Sequence, residues 1–327
     1  MNIEGSVLAL SGGIGGVKLA LGLQSILAPA QLTVAVNTGD DFEHLGLAIS
    51  PDVDTTLYTL SGQANTELGW GRAGETWAFM EELGRLGAET WFRLGDKDLA
   101  VHVERTRRLA AGEPLSDVVY DFARRFGLAT RVLPMSNDRV RTIVETSAGT
   151  LSFQQYFVKY ACRPRVSAIR YEGAEHARPV PAALAMLQEP DLAAVVICPS
   201  NPYLSIEPLL AIPGWRAALR ATKVPVIAVS PLIGGEAVKG PTAKIMRELG
   251  LAVSALTVAR HYEGIVRGFV LDAADAALAP RFGMPVHVTP TLMRTLADKE
   301  RLAREVLEFA RALRRTGFPA PVCPAGR

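Results

Sequence analysis

The sequence predicts an α/β protein with a Rossmann-like, doubly wound and mostly parallel sheet and an inserted, mainly helical smaller region. Apolar runs of strand length alternate with helical patterns near both ends of the chain. Such alternation is typical of parallel sheets that are covered by helices. A glycine-rich turn also joins the first apolar run to the first helical pattern. The middle of the chain differs, because it is largely helical in pattern.

The first predicted unit is strand, turn, helix and strand. Residues 6–10 form an apolar run that ends at the glycine-rich segment 11–16, and a helical pattern follows. Residues 32–37 supply a second strand, which completes a right-handed βαβ unit. Glycines between a strand and a helix expose backbone N–H groups that suit a phosphate. The alternative is a purely structural turn between strand and helix.

Alternation returns in the last third of the chain. The pattern predicts strands at 193–198, 225–230, 253–257 and 269–271, and helices at 205–210, 215–221, 242–249 and 299–314. Between these parts, helices predominate up to residue 128, and 139–145 and 150–157 are two further predicted strands. We therefore assign residues 1–62 and 186–317 to the nucleotide-binding core, 63–185 to an inserted cap, and the proline-rich 318–327 to a loose tail.

Composition narrows the class of protein. With 49% hydrophobic and 21% charged residues, the 327-residue chain is typical of a globular protein. A net charge of +2 gives no reason to expect a nucleic acid or membrane partner. Cys162, Cys198 and Cys323 are far apart and form no CxxC pair, which fits a reducing compartment. The start lacks a signal-peptide pattern, so we expect a cytoplasmic protein.

Four aspartates follow the second predicted strand closely. Asp40 and Asp41 belong to the stretch NTGDD, and Asp52 and Asp54 to SPDVDT. Carboxylates at the carboxyl end of a buried strand lie where open α/β sheets bind ligands. Oxygen ligands of this kind suit Mg²⁺, which also binds substrate phosphates. The alternative is a solvated acidic loop with helix-capping aspartates.

The glycine segment fails two common nucleotide-binding templates. A dinucleotide fingerprint starting at Gly13 needs glycine where Lys18 stands, which disfavours an NAD-dependent dehydrogenase. A Walker A loop needs a Gly-Lys pair, but Val17 precedes Lys18. A nucleoside diphosphate or another phosphate compound remains compatible with the segment.

Several motifs together resemble the 2-phospho-L-lactate transferase family, which builds the deazaflavin coenzyme F420 and includes phosphoenolpyruvate transferases. In family order these are SGGIGGVK at 11–18, NTGDD at 37–41, SPDVDT at 50–55, GWG at 69–71, ETW at 75–77, LGDKDLAVH at 94–102, LPMSND at 133–138, PSNP at 199–202 and SPLIG at 230–234. The chain departs from the family at Lys97 and Val101, where arginine and threonine are common. Arg93 stands where some archaeal members carry lysine.

The resemblance implies a magnesium-dependent transferase that forms a homodimer. Its donor would be a guanosine-diphospho carrier of the lactyl-2-diphospho-5′-guanosine type. The phospholactyl or phosphoenolpyruvyl group would pass to the ribityl hydroxyl of the deazaflavin Fo, giving GMP and an F420-0 type product. The motifs do not decide which three-carbon group is transferred. A competing class is a nucleotide-sugar-binding regulatory protein of related fold, but such proteins lack the GWG, ETW and Gly95-Asp96 motifs that this chain retains.

The resemblance also implies roles for individual residues. Asp40 and Asp54 would bind Mg²⁺, and either would alternatively orient the acceptor hydroxyl, Asp54 as a general base. For Asp54 the structural alternative is a helix cap. The nucleotide would be held by backbone groups of the glycine segment and by the PSNP motif, namely Gly12, Gly13, Gly15, Gly16, Ser200 and Asn201. For the last two the alternative is an ordinary Asn-Pro turn.

The deazaflavin ring needs an apolar wall with a few polar contacts. The expected contacts are Trp70, Arg93 and Asp96 in the inserted region. Trp77 lies in the same region and is alternatively part of its core. His102 either meets phosphate or is a structural histidine, and the same two possibilities apply to His44.

Overall fold

The computed structural model describes residues 5–317. The predicted loose tail at 318–327 and Cys323 lie outside the described residues. No helix in the described part of the chain is long and apolar enough to cross a membrane.

The secondary structure alternates along the chain. The strands are β1 (Ser6–Ser11), β2 (Leu32–Val36), β3 (Phe42–His44), β4 (Leu47–Ile49), β5 (Arg131–Pro134), β6 (Arg141–Thr146), β7 (Gly149–Ser152), β8 (Val166–Glu172), β9 (Leu192–Ile197), β10 (Val226–Val229), β11 (Leu232–Ile233), β12 (Glu236–Ala237), β13 (Gly268–Leu271) and β14 (Val286–Val288). The α-helices are α1 (Gly13–Ile26), α2 (Pro51–Leu60), α3 (Ala78–Arg85), α4 (Asp96–Ala110), α5 (Leu115–Arg125), α6 (Pro181–Met186), α7 (Glu207–Leu210), α8 (Trp215–Ala221), α9 (Thr242–Glu248), α10 (Ala255–His261) and α11 (Leu296–Thr316). Short π-helical turns at Gln155–Lys159 and Pro202–Ile206 and a 3-10 segment at Ala273–Arg281 complete them.

The main sheet is doubly wound, as predicted. Its seven strands run in the order β14-β13-β10-β9-β1-β2-β5, and every pairing between neighbours is parallel. The strand order reverses between β1 and β9. In sheets of this type, ligands bind in the crevice beside the carboxyl ends of the strands at that reversal. The segments after β1, β2 and β9 are therefore the expected walls of a site.

The sheet is buried on both faces, because successive side chains of a strand point to opposite sides. Leu8 and Leu10 of β1 pack into one core cluster with helices α8 and α10. Val7 and Ala9 pack into a second cluster with helices α1, α2, α5 and α11. The near-continuous apolar runs of the central strands follow from this double burial.

The predicted inserted range 63–185 contains more than helices. α3 and α4 lie in it, and β6 pairs antiparallel with both β7 and β8 in a three-stranded sheet. β5, however, pairs parallel with β2 at the edge of the main sheet, and α5 packs against β5 in the second core cluster. The domain boundaries themselves stay a prediction.

Three local predictions were wrong. Residues 253–257 are the start of helix α10, because the Ser254 hydroxyl accepts a hydrogen bond from Leu256 N and caps the helix. The second strand of the hairpin ends at Ser152 rather than at residue 157. Helix α1 begins at Gly13, so the glycine-rich turn is shorter than its sequence indicates. β14 was not predicted, since three residues carry too little pattern.

Candidate functional site

A cavity of about 670 Å³ opens beside the carboxyl ends of β1, β2, β9 and β10. It lies where the strand order of the main sheet reverses. Its polar and charged side chains come from both halves of the sheet and from α4, and they are Lys18, Asp40, Asp52, Asp54, Thr55, Tyr58, Arg93, Asp98, His102, Gln154, Ser200, Asn201, Ser205, Ser230, Lys239, Thr242 and Thr291. The cavity volume is in the range of small-molecule and cofactor sites.

The glycines after β1 allow close packing around the cavity. A Cβ added to Gly12 would lie 2.7 Å from Asp52 Oδ2, and one added to Gly15 would lie 2.5 Å from the backbone oxygen of Pro199. Gly12, Gly13 and Gly15 line the cavity. Gly16 is packed against the Ser11 and Ser200 hydroxyls and does not line it. Three of the four predicted glycines therefore stand at the site.

The segment after β9 supplies Ser200 and Asn201. The Ser200 hydroxyl is buried and accepts a 3.2 Å hydrogen bond from Gly12 N, which ties the two halves of the sheet together. Asn201 Oδ1 accepts hydrogen bonds from Tyr203 N and Leu204 N, as the alternative of an Asn-Pro turn predicts. Its amide nitrogen has no hydrogen-bond partner among the described residues. Both residues line the cavity, so Asn201 both shapes a turn and contributes to the site.

Asp40 and Asp52 form one part of an acidic wall. Asp40 is only 4% exposed, and its Oδ1 has no hydrogen-bond partner among the described residues. Burial raises the pKa of Asp40 well above its ordinary value, and the negative charge of Asp52 adds to the effect. Burial also raises the pKa of Asp52 to about 6, although Asn37 Nδ2 donates a 2.9 Å hydrogen bond to its Oδ2.

Asp54 belongs to a different cluster on the same wall. Arg105, which is completely buried, donates to Asp54 Oδ2 over 3.0 Å and also contacts Asp54 Oδ1. The two ring nitrogens of His102 lie 3.6 Å from Asp54 Oδ2 and 3.2 Å from Asp98 Oδ2. Tyr58 donates its hydroxyl to Asp98 Oδ1 over 2.5 Å. Helices α2 and α4 thus enclose one connected charged network.

The donor set fits a hard cation at Asp40. Its Oδ1 is buried, has no hydrogen-bond partner among residues 5–317 and belongs to a carboxylate that the charge of Asp52 repels, an arrangement that a divalent ion relieves. Ligand atoms of Asp54, Asp98 and His102 also lie within 4.8 Å of one another. The positive charge of Arg105 already lies beside that group, so Asp54 shares its charge between the guanidinium and any bound ion.

The mouth of the cavity carries aromatic side chains. Trp70, 39% exposed, stands at the mouth with its ring centroid 6.0 Å from that of Trp77. The guanidinium of Arg93 lies 4.2 Å from the centroid of the Trp77 ring. Phe153 and Phe157 also line the cavity, and their rings stack with centroids 5.3 Å apart. Together with Trp91 and Phe92 they give the cavity a wall suited to a planar ring.

Asp96 and His44 do not line the cavity. Asp96 accepts hydrogen bonds from the Thr76 hydroxyl and from Ala78 N and Phe79 N. These contacts hold the start of α3 against the start of α4. His44 is buried beside Trp91, with ring centroids 5.1 Å apart.

We predicted no role for Tyr58 and Asp98, which the fold brings to the cavity. Asp52 and His102 also line it; Asp52 was predicted only as one of four clustered aspartates, and His102 as one alternative for a phosphate contact. The signal for Asp52 was its position two residues before Asp54. Arg105 carried no signal, because it lies in a run of charged residues that resembles a solvated helix face.

The fold and site define a Rossmann-like α/β protein with an acidic, aromatic-capped ligand crevice at the reversal of its strand order. A family model described as 2-phospho-L-lactate transferase CofD matches residues 7–283. The chain therefore belongs to the 2-phospho-L-lactate transferase CofD family.

Curated relatives cover nearly the whole chain. It is 40% identical over 317 residues to a phosphoenolpyruvate transferase from Streptomyces griseus, a match that spans 94% of this chain and 99% of the relative. It is 43% identical over 317 residues to a 2-phospho-L-lactate transferase from Methanopyrus kandleri, a match that spans 96% of this chain and 99% of that relative. A solved structure of a UPF0052 family protein from Bacillus halodurans shares the fold, with a TM-score of 0.59 and 13% identity over 94% of this chain and 100% of that one.

Proposed function

We propose that this protein transfers a phospholactyl or phosphoenolpyruvyl group from a guanosine-diphospho carrier to the ribityl hydroxyl of Fo in coenzyme F420 biosynthesis. The observation that carries the proposal is the cavity itself. It joins the glycine-rich start of α1, a wall of buried carboxylates and an aromatic mouth. The start of α1 suits a diphosphate, the carboxylates suit a divalent ion, and the aromatic mouth suits a planar acceptor ring. Family membership supports the same reaction.

The transfer requires an alcohol oxygen to form a bond to phosphorus while the bond from phosphorus to the GMP oxygen breaks. The electron pair of the broken bond stays on the GMP phosphate, and the alcohol proton passes to a carboxylate. Asp54 is suited to accept it, because Arg105 and His102 fix the orientation of its carboxylate. Catalysis of this kind depends chiefly on positioning and on neutralising charge.

Mg²⁺, held by Asp40 and Asp54, would neutralise the phosphate oxygens when bound. Asp40 contributes a buried Oδ1 that has no hydrogen-bond partner in the described part of the chain, whereas Arg105 already neutralises part of the Asp54 charge. Gly13, Ile14 and Gly15 at the start of α1 and Asn201 line the same cavity, and N–H groups of this segment and the Asn201 amide would orient the diphosphate.

The acceptor ring would lie at the cavity mouth. Trp70 and the stacked pair Phe153 and Phe157 line the cavity and would give the ring apolar contacts. Trp70 and Phe157 are partly exposed, which suits a surface that a ligand covers, since large exposed apolar groups in a crevice mark binding sites.

A coupled assay tests the proposal. Purified protein is mixed with Fo, Mg²⁺ and, in separate reactions, the guanylylated phospholactate and phosphoenolpyruvate donors, and products are identified by mass. An F420-0 type product together with GMP from one donor supports the proposal and identifies the three-carbon group. If neither donor is consumed while guanine nucleotides bind tightly, the protein is instead a nucleotide-binding regulator.

A further inference from the structure

Two lysines give the cavity a positive wall. Lys18 lies in α1, one turn after the glycines, and Lys239 lies in the segment between β12 and α9. Both line the cavity that also holds Asp40, Asp52, Asp54 and Asp98. Among residues 5–317, neither lysine forms an ion pair with a carboxylate.

The two side chains are placed by different parts of the fold. Lys18 Nζ donates a 3.2 Å hydrogen bond to the backbone oxygen of Met293, in the segment after β14. Lys239 Nζ reaches towards the GWG motif, since a Cβ added to Gly69 would lie 3.2 Å from it. The fold thus brings both lysines to the same cavity from different segments of the chain.

Two positive charges in one cavity repel each other. Burial lowers the pKa of Lys18, and the charges of Lys239 and Lys299 lower it further. A phosphate bound between Lys18 and Lys239 would remove this repulsion and replace it with charge-assisted hydrogen bonds. The start of α1 adds its positive dipole end on the same side.

We infer that Lys18 and Lys239 clamp the nucleoside-side phosphate of the donor, the group that leaves as GMP. The inference rests on the proposed function. The attacked phosphorus must lie near the carboxylates, because one of them takes the proton of the acceptor hydroxyl. The second phosphate of the donor then lies on the lysine side. As the bridging bond breaks, negative charge grows on that phosphate, and the lysines neutralise it.

Binding of inorganic pyrophosphate and of GMP, measured by calorimetry in buffer with EDTA, tests the clamp without acceptor or turnover. The variants are Lys18→Met, Lys239→Met and the conservative Lys18→Arg. Lys223→Met is the matched control, because Lys223 is exposed and precedes β10 at the opposite edge of the sheet. We expect each methionine variant at the clamp to weaken pyrophosphate binding about tenfold, and Lys18→Arg and Lys223→Met to bind like the wild-type protein.

The outcomes separate the clamp from the proposed reaction. If pyrophosphate binding depends on both lysines but no group is transferred from the guanylylated donors, the clamp is supported and the proposed donor is rejected. Equal pyrophosphate affinity in wild type, Lys18→Met and Lys239→Met would overturn the clamp, as would a wild-type protein that binds no pyrophosphate. Lys239 is exposed in a connecting segment, so its variant tests the inference even if Lys18→Met folds poorly.

Discussion

The guanidinium of Arg105 faces the carboxylate of Asp54, and each of its terminal nitrogens contacts a different oxygen of that group. The two residues are 51 positions apart in the chain and bring α2 and α4 together. Arg105 has no exposed surface, and Asp54 is 4% exposed. The pair therefore both joins α2 to α4 and sets the position of the carboxylate that we propose as the proton acceptor.

Arg105→Met is expected to lower the free energy of unfolding by about 3–5 kcal/mol, because it leaves Asp54 as a buried charge without its partner. Urea denaturation followed by circular dichroism measures the change. Arg107→Met is the control on the same helix, since the Arg107 side chain is 65% exposed in its pair with Glu104. Similar urea midpoints for the two variants would show that the buried pair adds little stability.

Glu207 makes stability depend on pH at the acid end. Burial alone would raise its pKa, but hydrogen bonds from His261 and Arg216 outweigh burial and hold the pKa below its ordinary value of 4.5. A carboxyl whose pKa is lower in the folded than in the unfolded protein stabilises the fold at pH values above its unfolded-state pKa. This stabilisation is lost as the pH falls through its folded-state pKa. The contribution is thus present at neutral pH and disappears below about pH 4.5.

Glu207→Gln is expected to destabilise the protein at pH 7 by about 2 kcal/mol and to flatten the loss of stability below pH 4.5. Urea unfolding measured from pH 3.5 to pH 7 gives both quantities. Glu300→Gln removes the same charge from a looser 3.5 Å pair with Arg304 and serves as the control. If the stability of Glu207→Gln fell with decreasing pH as steeply as that of the wild-type protein, Glu207 would not be the source of the acid-dependent loss of stability.

Local patterns were enough to predict much of the fold. The apolar runs of β1, β2, β9 and β10 are long because these strands are buried on both faces. Ligands bind at the carboxyl ends of such strands, so Asp40 and Ser200 were predicted at the site, and both line the cavity. β5 was assigned to the cap, because parallel pairing with β2 joins residues about one hundred positions apart, which no local pattern reports. Homodimer formation is a property of two chains and stays a prediction.

The site was harder to predict where it depends on distant packing. Asp52 and Asp54 are two residues apart on α2, yet Asp52 accepts from Asn37 while Asp54 pairs with Arg105. Only the position of α4 against α2 separates their roles. Arg105 itself is hidden among exposed charged neighbours, and its burial follows from the docking of the whole helix.

Gly15→Ala tests the close approach of α1 to the segment after β9. Alanine inside a helix normally stabilises a protein by about 1 kcal/mol relative to glycine. Here the added Cβ would lie 2.5 Å from the backbone oxygen of Pro199, and we expect a net destabilisation of about 1–3 kcal/mol with weaker nucleotide binding. Gly283→Ala is the control, because nothing lies within 4 Å of its added Cβ. A more stable Gly15→Ala protein would show that the two segments separate freely.

Asp40→Asn tests two effects of the Asp40 carboxylate, namely the stability that it costs in the ion-free protein and the Mg²⁺ that it is proposed to bind. Without Mg²⁺, removing the Asp40 charge ends both its unfavourable burial and its repulsion with Asp52, so the thermal midpoint should rise. With Mg²⁺, the wild-type protein should gain about 1.4 kcal/mol for each tenfold increase in free ion above the dissociation constant. The variant should lose this gain together with transfer activity.

Thermal unfolding across a Mg²⁺ titration at constant ionic strength measures both effects in one experiment. Asp191→Asn is the control for the change in net charge, since Asp191 is exposed and lies just before β9 at the other edge of the sheet. If Asp40→Asn kept the full Mg²⁺-dependent stabilisation, the ion would bind elsewhere. The group formed by Asp54, Asp98 and His102 would then be its site, and Arg105 would have to move away from Asp54 when the ion binds.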